Sequence, residues 1–280
     1  MPTVAAMNAT DLLASPLLEG SADWQMRYGE RFALEGILAT LKPRLAIEIG
    51  TAQGGSLRRV AAHAEEVHSF DIVPEIEALE RELPNVTTHV GDSAELVPKL
   101  LSELESKGRE VDFALVDGDH TVAGVRRDAE ALLASEACRR TAIVFHDAAN
   151  DDVRDGLEGV RFEAHPKVAY VNLDFIAGYL VSDPIRHLEI WNGLAIVLLD
   201  ADRGEPAARE RGFFDSAQVL RQARERARGR SQAGRAPSAA PTSPPAPQAG
   251  SAVRRAPLLA LGSGACMGLL AGLAAGRGRR

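Results

Sequence analysis

Five short apolar runs recur along the chain, RLAIEIG (44–50), EVHSFDI (66–72), VTTHVG (86–91), VDFALVD (111–117) and TAIVFHD (141–147), and nearly all of them end at a glycine or an acidic residue. Between them lie LRRVAAHA, PEIEALEREL, SAELVPKLLSELESKG and VAGVRRDAEALLASEA, whose apolar residues repeat at helical spacing. Strands that are apolar on both faces need cover on both sides, and the intervening helices supply it. The alternation therefore predicts a doubly wound α/β domain with a mostly parallel sheet and right-handed crossovers. Two later runs, KVAYVNLDFI (167–176) and LAIVLLD (194–200), extend the sheet, the second as an edge or antiparallel strand. A helix is expected from Asp23 to Leu41, with Trp24, Tyr28, Phe32, Ile37 and Leu38 on a broadly apolar face.

Charge marks where this domain ends. From Gly204 onward there are 13 arginines, no lysine and four acidic residues, whereas 19 basic and 35 acidic residues precede it. An acidic domain is thus followed by a basic tail. Four segments are expected: a flexible N-terminus (1–20), the folded domain (21–203), an Arg/Ala/Pro-rich disordered linker (204–255) and an apolar Gly/Ala-rich end (256–280). Within the last, APLLALGSGACMGLLAGLAAG has the length of a membrane span, but its glycines and few large aliphatic residues favour a disordered end over an anchor. Only two cysteines, Cys138 and Cys266, occur, and the N-terminus has no basic region followed by a long apolar one. A disulfide framework, a cysteine zinc site and secretion are all disfavoured, and a cytoplasmic location is expected.

Doubly wound sheets bind ligands outside the carboxyl ends of their strands. In order, those ends bring Glu48, Gly50, Thr51, Gly54, Gly55 and Ser56; Asp71; Asp92 and Ser93; Asp117, Asp119 and His120; and His146 with Asp147. Each alone is ordinary turn or cap chemistry. Together they describe one polar edge. The glycine-rich EIGTAQGGS permits close backbone approach, and Asp71 at the second strand end is placed to accept hydrogen bonds from ribose hydroxyls. That much suits any adenosine cofactor, including that of an NAD-dependent oxidoreductase. The chain, however, has no Tyr-x-x-x-Lys pair, since none of Tyr28, Tyr170 and Tyr179 is followed by lysine at that spacing.

The set E-x-G-x-x-x-G-G-S, an acidic residue ending strand two, GDS after strand three, DGDHT-x-x-G-V-x-x-D and VFHD resembles a class I S-adenosylmethionine-dependent methyltransferase. The nearest group is the one that includes macrolide sugar O-methyltransferases and cephalosporin-hydroxylase-like proteins. The resemblance spans residues 24–200, and DGDHTVAGVRRD with VFHD is its most specific part. It implies S-adenosyl-L-methionine as cofactor, with Glu48, Gly50, Thr51, Gly54 and Ser56 around its methionine portion, Asp71 on the ribose, and Asp92 with Ser93 at the adenine. Asp117 would border the same site. The helix beginning near Trp24 would lie beside the cofactor. In metal-dependent members of this resemblance, an aspartate ending strand four and an acidic pair ending strand five hold Mg²⁺, and a histidine three residues past the first aspartate is the base. Asp117, His146, Asp147 and His120 match those positions, with His146 standing where a carboxylate is usual. Mg²⁺ prefers oxygen ligands, and Asp119 either offers one more or sits in the turn.

The resulting expectation is an O-methyltransferase acting on a hydroxyl of a small molecule, a sugar or a secondary metabolite, with His120 as base. An unperturbed histidine is mostly neutral near pH 7 and so able to accept a proton. Residues 150–192 would supply acceptor specificity. A non-catalytic cofactor-binding domain tethered by its basic tail is the alternative from another class. Nucleic acid is not an expected partner, because the domain is acidic where a phosphate-binding face should be basic.

Overall fold

A computed structural model describes residues 18, 24–182, 185–210 and 215–233. Its centre is an eight-stranded sheet in the order β3-β2-β1-β4-β5-β9-β6-β10. The strands are β1 (Leu45–Ile49), β2 (Glu66–Asp71), β3 (Val86–Val90), β4 (Phe113–Val116), β5 (Ala142–Phe145), β6 (Val168–Ile176), β9 (Leu194–Leu199) and β10 (Ala208–Arg209). A separate two-stranded ribbon pairs β7 (Tyr179–Leu180) with β8 (Ile190–Trp191). Among the described residues six α-helices flank the strands: α1 (Tyr28–Leu41), α2 (Gly55–His63), α3 (Ser93–Ser106), α4 (Val122–Ala134), α5 (Asp151–Gly159) and α6 (Ser216–Ala233). The segment Pro74–Arg81, expected as an α-helix, is a 3₁₀ helix.

Alternation along β1 sorts the core into two layers, because neighbouring side chains leave a strand on opposite faces. Leu45, Ile47 and Ile49 join Val97, Leu101, Ala129, Leu132 and Leu157 beneath α3, α4 and α5. Ala46, with Phe113, Leu115 and Val144, packs instead against Leu34 and Leu38 of α1 and Leu57 and Val60 of α2. Register then levels the strand ends. Ile49 pairs with both Phe70 and Val116, and Val116 pairs with Phe145. Gly50, Asp71, Asp117 and His146, each one step beyond, therefore share one edge. The winding reverses between β1 and β4, which opens a crevice there.

Of the two readings of LAIVLLD the antiparallel one holds, and two other expectations are corrected. LAIVLLD is antiparallel, but it is inserted between β5 and β6 rather than set at an edge; buried on both sides, it has the same apolar character as its parallel neighbours. The first helix begins at Tyr28, not Asp23; Leu34 and Leu38 face the core while Tyr28 and Phe32 are exposed. Trp24 precedes the helix and lies against the cleft. Finally, the segment expected as a linker from 204 carries α6 over 216–233. Arginine and alanine are good helix formers, and this helix has acidic partners that composition does not reveal. Arg221 donates from Nε to Asp151 Oδ1 at 2.8 Å and from Nη2 to Asp155 Oδ1 at 2.7 Å, and Arg224 also pairs with Asp151. Below them the enclosed Arg154 bonds Asp174 Oδ1 at 2.7 Å and Asp215 Oδ1 at 3.0 Å. The remaining linker, the N-terminus before Trp24 apart from Leu18, and the apolar 256–276 stretch lie outside the described residues. Among the described residues no helix is long and apolar enough to cross a membrane.

Candidate active site

A cleft of about 640 Å³ opens along the carboxyl edge. Its floor is the loop after β1. Gly50 has φ +88°, and a Cβ there would stand 2.1 Å from the backbone oxygen of Asp117, so β1 and β4 close on each other only with glycine at this point. Asp71 then organises the loop: its Oδ2 accepts from Thr51 N at 2.8 Å and Ala52 N at 2.9 Å, and its Oδ1 accepts from Val73 N at 3.0 Å. Thr51 and Ser56 line the cleft; Gly54, with φ +76°, starts α2 behind it. Glu48 lies beneath the floor, fully enclosed, with Ser56 Oγ donating to its Oε1 at 2.5 Å. Burial pushes its carboxyl up to about 8, so the neutral acid is the resting form.

One end of the cleft is flat and partly apolar. Ile72 and Val73, exposed after β2, form a lip there with Asp92, Ser93 and Arg127. Asp92 caps α3 by accepting from Ala94 N at 2.9 Å. Ser93 Oγ donates at 3.0 Å to Asp128, a carboxyl that burial pushes up to about 6. The segment 24–27 places Trp24, Gln25 and Met26 on the cleft wall, and Gln25 Nε2 donates to Gln53 Oε1 of the glycine loop at 3.3 Å.

At the other end carboxylates and imidazoles alternate. His120 Nε2 lies 3.2 Å from Asp117 Oδ1 and 3.3 Å from Asp147 Oδ2. His146 Nδ1 lies 3.0 Å from the same Asp117 oxygen and 3.5 Å from Asp147 Oδ2. Its Nε2 is 3.3 Å from Glu30 Oε1, off the line of a good hydrogen bond. Asp147 holds a left-handed backbone (φ +52°), and its Oδ1 accepts from Asn192 N at 2.5 Å, which ties β5's end to the β7–β8 ribbon. Burial works against ionisation of Asp117, but His146 and His120 outweigh it and hold the carboxyl at about 2. Hydrogen bonds from Asp117 and Asp147 lift His120 to about 9. That corrects the expectation of a mostly neutral His120 at pH 7: both carboxylates hold its proton. Burial opposes the charge on His146 too, yet Asp117, Asp147 and Glu30 raise it well above the usual value.

Residues 47–148 match a family model described as a methyltransferase domain. The match takes in 102 of the chain's 280 residues, so the likeness is to a methyltransferase domain over this stretch. No curated protein matches the chain. Among solved structures, an O-methyltransferase from Bacillus cereus in complex with SAH is 16% identical, covering 71% of this chain and 94% of that one, with a TM-score of 0.45. The N-methyltransferase NodS from Bradyrhizobium japonicum, also with SAH, is 15% identical, covering 68% and 97%, at 0.43. The 23S rRNA methyltransferase ErmE is 15% identical, covering 70% and 74%, at 0.41. Similarities this distant do not distinguish one acceptor class from another.

Within the cleft, Asp117, His146 and Asp147 bring one ligand atom each within 4.8 Å of the others. Two carboxylates and one imidazole could hold a divalent ion, the nitrogen donor suiting a transition metal better than Mg²⁺, which prefers oxygen. His146 Nδ1 lies beside Asp117 and Asp147 while its Nε2 faces Glu30, so a neutral ring could offer its Nδ1 lone pair to an ion with the other nitrogen turned to a carboxylate. Asp147 has one oxygen occupied by Asn192, and the inner oxygen of Asp117 already meets two imidazoles. Asp119 does not join the set; its Oδ1 accepts from Thr121 N at 2.9 Å in the turn before α4. Glu30, Ile72, Val73 and Arg127 were not singled out in the sequence. For Glu30, the sole signal was an acidic residue at the third position of a helix, which ordinarily reads as a cap. Cys138 is enclosed, and burial pushes its thiol up to about 12, so it is no nucleophile.

Proposed function

We propose that the methyltransferase domain transfers the methyl group of S-adenosylmethionine to a hydroxyl oxygen of a small molecule, with His120 as general base. The carrying observation is the position of His120 on the wall of one continuous cleft, between Asp117 and Asp147, opposite the glycine loop and Asp71. S-adenosylmethionine supplies a methyl carbon already bonded to a positively charged leaving group, so the protein's task is alignment and removal of one proton.

Each residue has a part in that task. Asp71 keeps the backbone of Thr51 and Ala52 turned into the loop and has lone pairs left for ribose hydroxyls. Ile72 and Val73 cover one face of the adenine, and Ser93 and Asp92 border its edge. Glu48, neutral beneath Ser56, adds no net charge under the methionine portion. His120, once it has released its own proton to solvent, takes the proton of the acceptor hydroxyl. The oxygen then forms its bond to the methyl carbon as the carbon–sulfur bond breaks, with the electron pair remaining on sulfur. Asp117 and Asp147 stabilise the imidazolium so formed. Positioning of this kind contributes about 7–11 kcal/mol in well-oriented reactions. The acceptor would lie against the β7–β8 ribbon, where Trp191 meets the His120 ring edge-on with centroids 5.7 Å apart.

A thermal-shift screen tests the reading. S-adenosylmethionine and its demethylated product should each raise the unfolding temperature, and NAD should not. A rise with NAD alone, or with none of the three, refutes it. Loss of the shift in Asp71→Ala checks the ribose assignment.

A further inference from the structure

Asp128, the last residue of DGDHTVAGVRRD, stands where an apolar side chain is expected. It shares the inner face of α4 with the core residues Val125, Ala129 and Leu132, at helical spacing, and is 1% exposed. Its Oδ1 accepts from Ser93 Oγ at 3.0 Å, while its buried Oδ2 has no hydrogen-bond partner among the described residues. An ionised carboxyl held this deep with one open oxygen costs stability, so packing alone does not account for it. Burial favours the protonated form, Ser93 and Arg127 favour the ionised one, and Asp119 and Asp92 oppose them; the balance lies at about 6. At pH 8 the group is therefore an acceptor only.

Ser93 carries that property into the cleft. A hydroxyl has one proton and two lone pairs. With its proton committed to Asp128, Ser93 can offer the cleft lone pairs alone, and it lines the cleft beside Ile72, Val73, Gly91 and Asp92. A ligand that meets it there must bring the donor. Ile72, 75% exposed, and Val73, 41% exposed, form an apolar ledge at the same end, which fits the flat face of a base. On the adenine ring of a nucleoside the 6-amino group alone donates, and hypoxanthine has a carbonyl at that position.

We propose that Asp128 is a positioning residue that sets the polarity of the base subsite: by taking the Ser93 proton it leaves a pure acceptor, which selects a base with an amino group at that edge, adenine, over one with a carbonyl. This selection rests on S-adenosylmethionine occupying the cleft and adds to that reading what rejects the wrong nucleoside. Asp92, whose Oδ1 accepts from Ala94 N, is an acceptor without help. Ser93 is not, because an uncommitted hydroxyl donates as readily as it accepts.

Isothermal titration calorimetry of the full chain at pH 8, with S-adenosyl-L-homocysteine and with S-inosyl-L-homocysteine, tests the assignment. The wild type should bind the adenosyl compound at least about tenfold more tightly, since the inosyl carbonyl would face an acceptor. Asp128→Leu frees the Ser93 proton and should lower that ratio by about tenfold, mainly by improving the inosyl compound. Asp128→Ala carries the same expectation where leucine does not fit. Ser93→Ala should also lower the ratio, and adding Asp128→Leu to it should change nothing further, because Asp128 acts through Ser93. A wild type that binds both compounds alike refutes the assignment and leaves the cofactor reading intact, whereas one that binds neither removes both. A ratio unmoved in Asp128→Leu and Asp128→Ala, or an equal loss for the two compounds, reduces Asp128 to a structural tie and refutes the positioning role.

Discussion

Replacing Gly50 by alanine should separate two strands at the one place where the cleft is built. The added Cβ would stand 2.1 Å from the carbonyl oxygen, 2.4 Å from the carbonyl carbon of Asp117 and 2.7 Å from Gly118 N, all backbone atoms that no rotamer change can remove. The residue also holds φ +88°, where a side chain costs about 1–2 kcal/mol. Overpacking adds about 1–3 kcal/mol once the strands shift to relieve it. The total of roughly 2–5 kcal/mol corresponds, for a domain of this size, to a fall in Tm of roughly 4–20 °C. Differential scanning calorimetry measures it, with S-adenosylmethionine present in a second series. The ligand-induced gain should fall as well, because Asp117 and Gly50 both border the cleft. Gly36→Ala is the matched control: Gly36 lies within α1 with nothing within 4 Å of an added Cβ, and the variant should gain about 0.5–1 kcal/mol. A Gly50→Ala chain that melts within a degree or two of the wild type and binds ligand as well would refute the close-approach reasoning.

Two further outcomes follow from the ionisable groups. Because burial lifts Glu48 from its usual value to about 8, the folded chain keeps a proton that the unfolded chain has already lost. The resulting stabilisation is complete below the unfolded pKa and is lost as pH rises through 8, so Glu48→Gln should gain on the wild type in urea midpoint between about pH 5 and 8, by up to a few kcal/mol; parallel curves would sink this account. His120, raised to about 9 by Asp117 and Asp147, stabilises the fold below its unfolded value near 6.5 and ceases to do so as pH passes 9. As a base it works only when neutral, so kcat/KM should climb close to tenfold per unit between about pH 7 and 8, and a plateau reached by pH 7 would exclude the role.

The parallel strands were legible because strands enclosed on both faces are nearly continuous apolar runs, and the polar edge was legible because those runs stop abruptly. β9 was half legible: its composition marks a buried strand, but its direction is set by the ribbon that precedes it, whose strands are two residues each. α6 was hidden because its stability comes from Asp151 and Asp155, which are 66 to 73 residues distant in sequence. Glu30 was hidden for the same reason. Nothing near it in the chain indicates that its carboxylate reaches Gly193, 163 residues away, or that His146 lies beside it. The protonation of His120 was misjudged because two carboxylates from different strands converge on one nitrogen.

The β7–β8 ribbon has both its stems fastened to the turn after β5. Ala148 N and Ala149 N donate to Gly193 O and Asn192 O at 3.0 and 3.1 Å, and an added Cβ on Gly178 would stand 2.3 Å from the side chain of Ala149. A ribbon so anchored does not swing independently of Asp147. The 24–27 segment meets the glycine loop through a Gln25–Gln53 hydrogen bond of 3.3 Å, and its Arg27 lies over the Tyr179 ring of the ribbon, 4.9 Å from the centroid. The ribbon thus couples the end of β5 to the entry of α1, and a shift at either is carried to the other.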